Sequence, residues 1–203
     1  MYIHNFDPIA FEILNFKIYW YSLSYLFGFI FSYFYAKFLI YKTHIKLNFI
    51  YFEDFLSWAI LAVIIGGRLG YVIFYNFNFY MNNPLDILKV WQGGMSFHGG
   101  LVGLILSIFF YSKIKKISFF EISNLVSACA PFGIFLGRIA NFINGELVGK
   151  ATNSSWGVLF EENDVLRHPS QLYEAFFEGI IIFITIFFIF RKNYHKFVNV
   201  FSV

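Results

Sequence analysis

Two arginines lie within long apolar segments, and their chemistry suggests that they bind phosphate. Arg68 follows a pair of glycines, and Arg138 follows a single glycine. A guanidinium presents two parallel N–H donors that match two oxygens of a phosphate group. Ionisable side chains are costly inside a membrane and usually mark a functional site. We therefore interpret both arginines as candidates for binding an anionic ligand.

Other polar side chains lie near the ends of these segments, at the same level as the arginines. At a rise of ~1.5 Å per residue, each arginine lies roughly 20 Å along its segment. Side chains near helix ends also snorkel to water, and that interpretation stays open for each residue taken alone. Several kinds of group at one level favour a functional cluster. The further members are Tyr21, His98, Glu174 and Glu178.

Glycines flank the arginines and His98, and they have two interpretations. Small residues let helix backbones approach closely. They also leave room for a headgroup and expose backbone N–H groups to phosphate. On the second interpretation Gly99, next to His98, contributes to binding. The glycines concerned are Gly66, Gly67, Gly70, Gly93, Gly94, Gly99, Gly100, Gly103 and Gly137.

The stretch GRIANFINGELVG, residues 137–149, combines a polar helix face with a turn signal. Arg138, Asn141 and Gly145 are spaced by three and four residues, so they share a face if the stretch is helical. Asn144 followed by Gly145 predicts that the helix ends there and that Glu146 enters a loop. A buried Asn141 also fits a purely structural role between helices.

The composition indicates an integral membrane protein. Of 203 residues, 59% are apolar and 13% are charged, and the mean hydropathy is +0.63. These values exclude a disordered chain and disfavour a soluble domain. A scattered net charge of +3 does not indicate a nucleic-acid partner. The single cysteine, Cys129, excludes an internal disulfide and a cysteine-based zinc cluster, and we expect neither a metal nor a cofactor.

Five segments have the length and apolarity of membrane spans, so we predict an all-α polytopic membrane helix bundle forming a single domain. Residues 6–16 resemble a segment lying at the membrane interface. The loop at 144–171 carries turn residues and an alternating apolar pattern, which predict a small external hairpin. The predicted spans are residues 18–41, 55–77, 96–111, 122–143 and 172–190.

Basic residues near the span ends predict the orientation. Nine of them follow the first, third and fifth spans, and four lie on the opposite side. This asymmetry places the N-terminus outside, the C-terminus in the cytoplasm and the polar cluster towards the outer leaflet, where it would bind an anionic phospholipid. The nine are Lys37, Lys42, Lys46, Lys113, Lys115, Lys116, Arg191, Lys192 and Lys196; the four are Lys17, Lys89, Lys150 and Arg167.

Five sequence blocks together resemble the bacterial prolipoprotein diacylglyceryl transferase family. They occur in the family's order and at its spacing, and they cover nearly all of the chain up to about Lys192. The blocks are Trp20-Tyr21, GGRLGYVIFYN from Gly66, KVWQGGMSFHGGLVG from Lys89, GRIANFINGELVG from Gly137 and RHPSQLYEAFFEG from Arg167.

The resemblance implies an enzyme of the bacterial inner membrane that begins lipoprotein maturation. It would move a diacylglyceryl group from phosphatidylglycerol to the lipobox cysteine of a prolipoprotein. In this interpretation His98 is the thiol base and Arg138 holds the phosphate, while Glu146 orients Arg138 and Tyr21 bonds the headgroup. The positions that match important family positions are Tyr21, His98, Arg138, Asn141, Glu146 and Gly149.

The chain departs from the family pattern mainly at its C-terminus. Family members continue with further spans, one of which carries an Arg and Glu set implicated in activity. A catalytically weak or silent protein that binds phospholipid or lipoprotein is therefore an alternative. A small channel or transporter is a third, although it predicts polar groups throughout the membrane depth. Smaller departures are Ser22 for glycine, Val148 for an aromatic residue and Asn153 for aspartate.

Overall fold

The structure, a computed structural model, describes residues 2–14, 16–42, 45, 47–160 and 165–192, with side chains up to residue 190. Of the basic residues used to predict orientation, Lys46, Lys196 and the side chains of Arg191 and Lys192 lie outside the described residues.

Helices dominate the described residues, and five of them are long and apolar enough to cross a membrane. The predicted all-α membrane class with about five spans is therefore confirmed. The first four spanning helices are α1 (Trp20–Lys42), α2 (Phe49–Phe74), α4 (Phe97–Lys115) and α5 (Phe119–Asn144). The fifth comprises α6 (Ser170–Glu174), a π-helical turn (Ala175–Ile181) and α7 (Ile182–Lys192). A short α3 (Phe77–Asn82) follows α2.

Polar caps extend or define two of these helices beyond their apolar cores. The Asn48 side chain accepts a hydrogen bond from the Ile50 backbone N–H, so α2 begins well before residue 55. The Ser96 side chain accepts one from the Gly99 N–H and begins α4. Such caps satisfy backbone donors that the first helical turn leaves free. Hydropathy finds the apolar part of a span but not the polar turns that precede it.

Short strands lie near the N-terminus and in the loop after α5. Strands β2 (Ile9–Ile13) and β3 (Phe16–Tyr19) pair antiparallel just before α1. Strand β1 (Tyr2–Ile3) pairs parallel with β4 (Val158–Leu159). The loop itself folds back through antiparallel bridges that join Ala151 and Val158 to Arg167, which confirms the predicted hairpin.

The chain divides into two compact units, with one boundary between residues 44 and 45 and the other within α5. The first unit contains residues 1–44 and 125–203, and the second contains residues 45–124. The single membrane domain inferred from the sequence stays a prediction.

Aromatic side chains pack the helices of the first unit. Phe31 of α1 stacks on Phe132 of α5, with ring centroids 3.8 Å apart. Phe183 of α7 contacts both rings, at 5.7 and 6.3 Å. Such contacts add specific geometry to apolar burial. The contact between Phe132 and Phe183 holds α5 against α7.

Glycines instead pack the second unit, where α2 crosses α4. A Cβ atom at Gly99 would collide with the Gly66 carbonyl and lie 2.9 Å from the Gly70 Cα. A Cβ atom at Gly103 would lie 3.1 Å from the Gly66 Cα. The two backbones therefore touch, and larger side chains would force them apart.

Candidate active site

Arg138 forms two ion pairs with the fifth span. Its Nη1 lies 3.0 Å from a Glu174 carboxylate oxygen, and its Nη2 lies 3.1 Å from a Glu178 oxygen. The three side chains are partly exposed, at 29%, 35% and 46% respectively. Each carboxylate thus pairs with one terminal nitrogen of the guanidinium, and the two ion pairs fix the orientation of the guanidinium plane.

The π-helical turn carries Glu178, and close backbone packing holds it against α5. A Cβ atom at Gly179 would lie 2.6 Å from the Phe135 Cβ and 2.9 Å from its Cα. Only glycine fits such an approach. π-helical turns are rare and occur often at functional sites. The backbone beside Glu178 is therefore fixed next to the turn of α5 that presents Arg138.

Glu146 forms a second polar cluster in the first unit. One oxygen of its carboxylate accepts hydrogen bonds from the Asn141 amide at 3.1 Å and the Asn144 amide at 3.0 Å. Its backbone carbonyl accepts a hydrogen bond of 2.6 Å from Gln171, whose side chain is fully buried. The expectation that Glu146 orients Arg138 is therefore not met by these contacts: Glu174 and Glu178 orient Arg138, and Glu146 pairs with the two asparagines.

The turn that presents Glu146 follows the sequence prediction. Helix α5 ends at Asn144, and Gly145 has a φ of +68°, which glycine adopts without strain. His4 lies against this turn, and its Nε2 is 2.7 Å from the Phe142 carbonyl oxygen. The imidazole thereby covers the end of α5, a contact that the sequence does not signal.

Tyr21 lies at the start of α1, within electrostatic reach of both Arg138 and Glu146. Its hydroxyl is 3.4 Å from the Tyr25 hydroxyl, one helical turn later. The structure thus brings together four predicted site residues in the first unit, namely Tyr21, Arg138, Asn141 and Glu146.

Gly149, the fifth predicted residue in the first unit, has a packing role. Its N–H donates a hydrogen bond of 3.0 Å to the His168 carbonyl. A Cβ atom there would lie 2.5 Å from that same carbonyl oxygen. Gly149 therefore lets the segment before α6 lie close to the segment that follows Glu146.

Arg68, in the second unit, is 4% exposed, and all five of its N–H groups donate to backbone carbonyls. Its guanidinium also lies over the Tyr80 ring, 5.1 Å from the centroid. Arg68 thus organises the loop before α4, and its predicted contact with the donor phosphate stays a prediction. The acceptors are Ile87 for Nε, Gly93 and Gly94 for Nη1, and Asp86 and Lys89 for Nη2.

His98 and Gly99, also in the second unit, lie in the first turn of α4. The His98 side chain is exposed, and its ring meets Phe97 edge to face at 5.7 Å. An exposed imidazole is able to accept a proton. Gly99 forms part of the close contact between α2 and α4, so the packing interpretation accounts for this glycine.

Gln171 was not among the predicted residues, and Glu174 and Glu178 were placed in the polar cluster without a specific role. These three are spaced by three and four residues, which places them on one helix face. A polar stripe in an otherwise apolar span was the signal that could have identified them. The structure shows that this stripe serves both polar clusters, because Gln171 contacts Glu146 and the two glutamates contact Arg138.

Comparison with known proteins gives consistent matches along the chain. The family model described as "Prolipoprotein diacylglyceryl transferase" matches residues 8–203. Three similar proteins are each named phosphatidylglycerol--prolipoprotein diacylglyceryl transferase. That of Rickettsia canadensis is 48% identical over 90% of this chain and 71% of its own length. The protein of Rickettsia bellii is 47% identical over 93% of this chain and 73% of its own length. The protein of Rickettsia typhi is 49% identical over 95% of this chain and 75% of its own length.

Proposed function

The chain belongs to the prolipoprotein diacylglyceryl transferase family, and from this membership we propose that it transfers the diacylglyceryl group of phosphatidylglycerol to a prolipoprotein cysteine. The observation that carries the proposal is identity to transferases of that name at nearly half of the aligned positions, over nine tenths of the chain. A partly exposed arginine in a polar cluster supports it, because the donor is anionic.

The proposed reaction forms one bond and breaks another. The cysteine sulfur bonds to the glyceryl carbon of the donor, and the bond from that carbon to the phosphate oxygen breaks. Glycerol 1-phosphate leaves with the electron pair, and the thiol proton passes to a base. A free thiol has a pKa near ~8.5, so a base must favour the thiolate.

Five of the predicted site residues have a proposed role in this reaction. Arg138 holds the donor phosphate and stabilises the charge on the leaving group. Tyr21 donates a hydrogen bond to the headgroup, and Asn141 keeps Glu146 oriented as an acceptor for headgroup hydroxyls. His98 is the proposed thiol base on the strength of the sequence, since a positioned imidazole nitrogen accepts a proton in general base catalysis.

The acceptor thiol is proposed to come from the lipobox of the partner protein. Cys129 of this chain is buried, and its thiol donates to the Ser32 carbonyl at 3.8 Å. A thiolate there would be costly, so this cysteine is a poor nucleophile.

A transfer assay tests the function directly. The purified chain is incubated with headgroup-labelled phosphatidylglycerol and a lipobox peptide. We expect labelled glycerol phosphate to be released and the peptide to gain the mass of a diacylglyceryl group. Retention of the label without release would instead show a lipid-binding protein that does not turn over.

Variants of the two central residues refine that assay. His98→Ala should lower turnover while phosphatidylglycerol binding persists, because a base acts on the acceptor. Arg138→Lys should lower turnover and also weaken phosphatidylglycerol binding, because an ammonium cannot form the two parallel hydrogen bonds that a guanidinium forms with phosphate. Unchanged peptide modification would remove the altered residue from the mechanism.

We also propose that the N-terminus lies outside, that the C-terminus is cytoplasmic and that the active site faces the outer leaflet of the inner membrane. The basic asymmetry of the sequence supports this orientation. The test places single cysteines at the exposed positions Ser118 and Asn153 in a Cys129→Ala background. An impermeant thiol reagent should label Asn153→Cys from outside and leave Ser118→Cys protected, and the reverse pattern would overturn the orientation.

A further inference from the structure

The charges around Arg138 do not favour an anion as they stand. One positive guanidinium faces the two carboxylates of Glu174 and Glu178, and Glu146 adds a third negative charge nearby. Among the described residues, Tyr21 and the neighbouring Tyr25 are further titratable groups of the first unit at this point. A phosphodiester brings another negative charge, and like charges at close range repel. An anionic donor therefore needs one carboxylate to leave Arg138.

We propose that Glu178 occupies, on Nη2 of Arg138, the position that the donor phosphate takes, so that donor and carboxylate exchange. This inference rests on the proposed function, since it concerns the donor of that reaction. Glu178 pairs with Nη2 at 3.1 Å and is the more exposed of the two carboxylates that pair with Arg138, at 46%. A half-exposed carboxylate turns towards water with little loss of solvation, because water replaces the ion pair.

Glu174 is the carboxylate that stays in place. It is less exposed than Glu178, and it pairs with the other terminal nitrogen, Nη1, at 3.0 Å. One retained ion pair keeps the guanidinium in its plane while Nη2 is offered to the donor. Arg138 therefore does not lose its orientation when Glu178 moves.

The backbone around Glu178 favours a side-chain movement over a helix movement. Gly179 is pressed against Phe135 with no space for a Cβ atom, which holds the π-helical turn on α5. The exchange is thus limited to the rotamer of one glutamate. Such a movement leaves the aromatic contact between Phe132 and Phe183 undisturbed.

The exchange also provides a route for product release. Breaking the carbon–oxygen bond turns the phosphodiester into a phosphate monoester, which carries more negative charge and binds Arg138 more strongly. The Glu178 carboxylate competes for the same nitrogen and displaces the product. Glu178 is in this view a positioning residue that weakens the binding of both donor and product to speed turnover.

The experiment compares Glu178→Gln with Glu174→Gln and with a matched control. Glutamine keeps the shape and a hydrogen-bond acceptor but removes the charge. The control is Glu12→Gln, which removes an exposed carboxylate of the same unit on β2, opposite Lys17. For each, KM for phosphatidylglycerol, kcat for glycerol phosphate release and inhibition by glycerol 1-phosphate are measured.

Glu178→Gln should lower KM and the inhibition constant of glycerol 1-phosphate by about fivefold, the weight of one partly exposed charge pair. Its kcat should fall as well, because product leaves more slowly. Glu174→Gln should raise KM, because the retained orienting pair is lost, and Glu12→Gln should match the unaltered chain. An unchanged or raised KM for Glu178→Gln, with an unchanged or weaker affinity for glycerol 1-phosphate, would overturn the exchange.

A binding measurement with glycerol 1-phosphate tests the proposed exchange even if the chain does not turn over. Phosphorus NMR of glycerol 1-phosphate added to the detergent-solubilised chain reports its affinity for Arg138. Tighter binding by Glu178→Gln than by the unaltered chain supports the exchange, and equal or weaker binding overturns it. If no variant releases glycerol phosphate, the proposed function fails and this measurement still stands. Should Glu178→Gln fold poorly, Glu178→Asp is the replacement, since its shorter side chain loses reach and predicts the same direction.

Discussion

Arg68 and Arg138 sit in comparable apolar helices yet differ in every contact that the structure gives them. Arg68 is 4% exposed and donates to carbonyls of the loop before α4. Arg138 is partly exposed and pairs with the partly exposed carboxylates of Glu174 and Glu178. A buried guanidinium whose donors all meet the main chain is part of the scaffold. A guanidinium held by exposed, exchangeable side chains is available to a ligand.

The glycines beside the two arginines follow the same division. Around Arg68 they let α2 and α4 touch and let the loop turn its carbonyls inward, with Gly93 and Gly94 at positive φ. Around Arg138, Gly137 has open space at its Cβ position. One glycine-rich arginine motif thus builds a scaffold, and the other borders a site.

The largest expected effect comes from Arg68→Ala. The change removes the arginine donor from five carbonyls, of which those of Asp86 and Lys89 keep a backbone donor, and each acceptor left buried without a partner costs ~1–3 kcal/mol. We expect an apparent melting temperature in detergent lower by about 10 °C. The melting temperature of Arg68→Lys should lie between those of Arg68→Ala and the unaltered chain, since an ammonium keeps three N–H donors. A melting temperature equal to that of the unaltered chain would show that Arg68 is not a scaffold residue.

Arg138→Lys should affect rate where Arg68→Ala affects stability. The lysine retains the charge but loses the fork, so transfer should slow by ~10²-fold. The melting temperature should stay within ~2 °C, because partly exposed ion pairs contribute little to stability. Both quantities are measured on the same detergent preparation. A large stability loss with a normal rate per folded molecule would erase the distinction between the two arginines.

Gly99→Ala and Gly137→Ala compare the two glycine environments. The Gly99 methyl group would collide with the Gly66 carbonyl, and we expect a loss of about 1–3 kcal/mol from overpacking. Gly137→Ala meets nothing within 4 Å and should be neutral or slightly stabilising, since alanine favours the helix. Thermal unfolding of the two variants side by side checks this, and equal melting temperatures would contradict the packing role of Gly99.

Asn141→Ala is expected to have the smallest effect. It removes the 3.1 Å hydrogen bond to Glu146 and leaves the second donor, Asn144, in place. We expect transfer to slow by ~10-fold, equivalent to ~1.4 kcal/mol, with stability little changed. The double variant with Asn144→Ala should lose more than the sum of the two single changes, because Glu146 then has neither amide donor. Strict additivity would show that the two amides act independently.

Several features of the fold could be read from the sequence because they depend on local patterns. Runs of apolar residues define spans, since a buried backbone must satisfy its own hydrogen bonds. The Asn144–Gly145 pair predicts the end of α5, because glycine accepts a positive φ. The strands β2 and β3 before α1 were not predicted, since residues 6–16 were interpreted only as an interfacial segment.

The sequence predicted several residues of the candidate site, but it did not predict which of their side chains form pairs. Arg138, Asn141 and Glu146 carry a recognisable spacing, and the structure places them together. The sequence pointed to Glu146 as the group that orients Arg138, because both lie in one motif, whereas the ion pairs of the structure join Arg138 to Glu174 and Glu178. Glu174 and Glu178 are about 40 residues further along, and no local pattern states which distant carboxylate will meet a guanidinium.

The sequence by itself determined the membrane class, the five spans, the family and the residue types available for chemistry. Only the tertiary structure decided which arginine donates to main-chain carbonyls and which pairs with partly exposed carboxylates. The physical reason is that burial and ion pairing depend on distances between segments far apart in the chain. Arg68 and Arg138 are chemically identical, and their different neighbours, main-chain carbonyls for one and exposed carboxylates for the other, separate their roles.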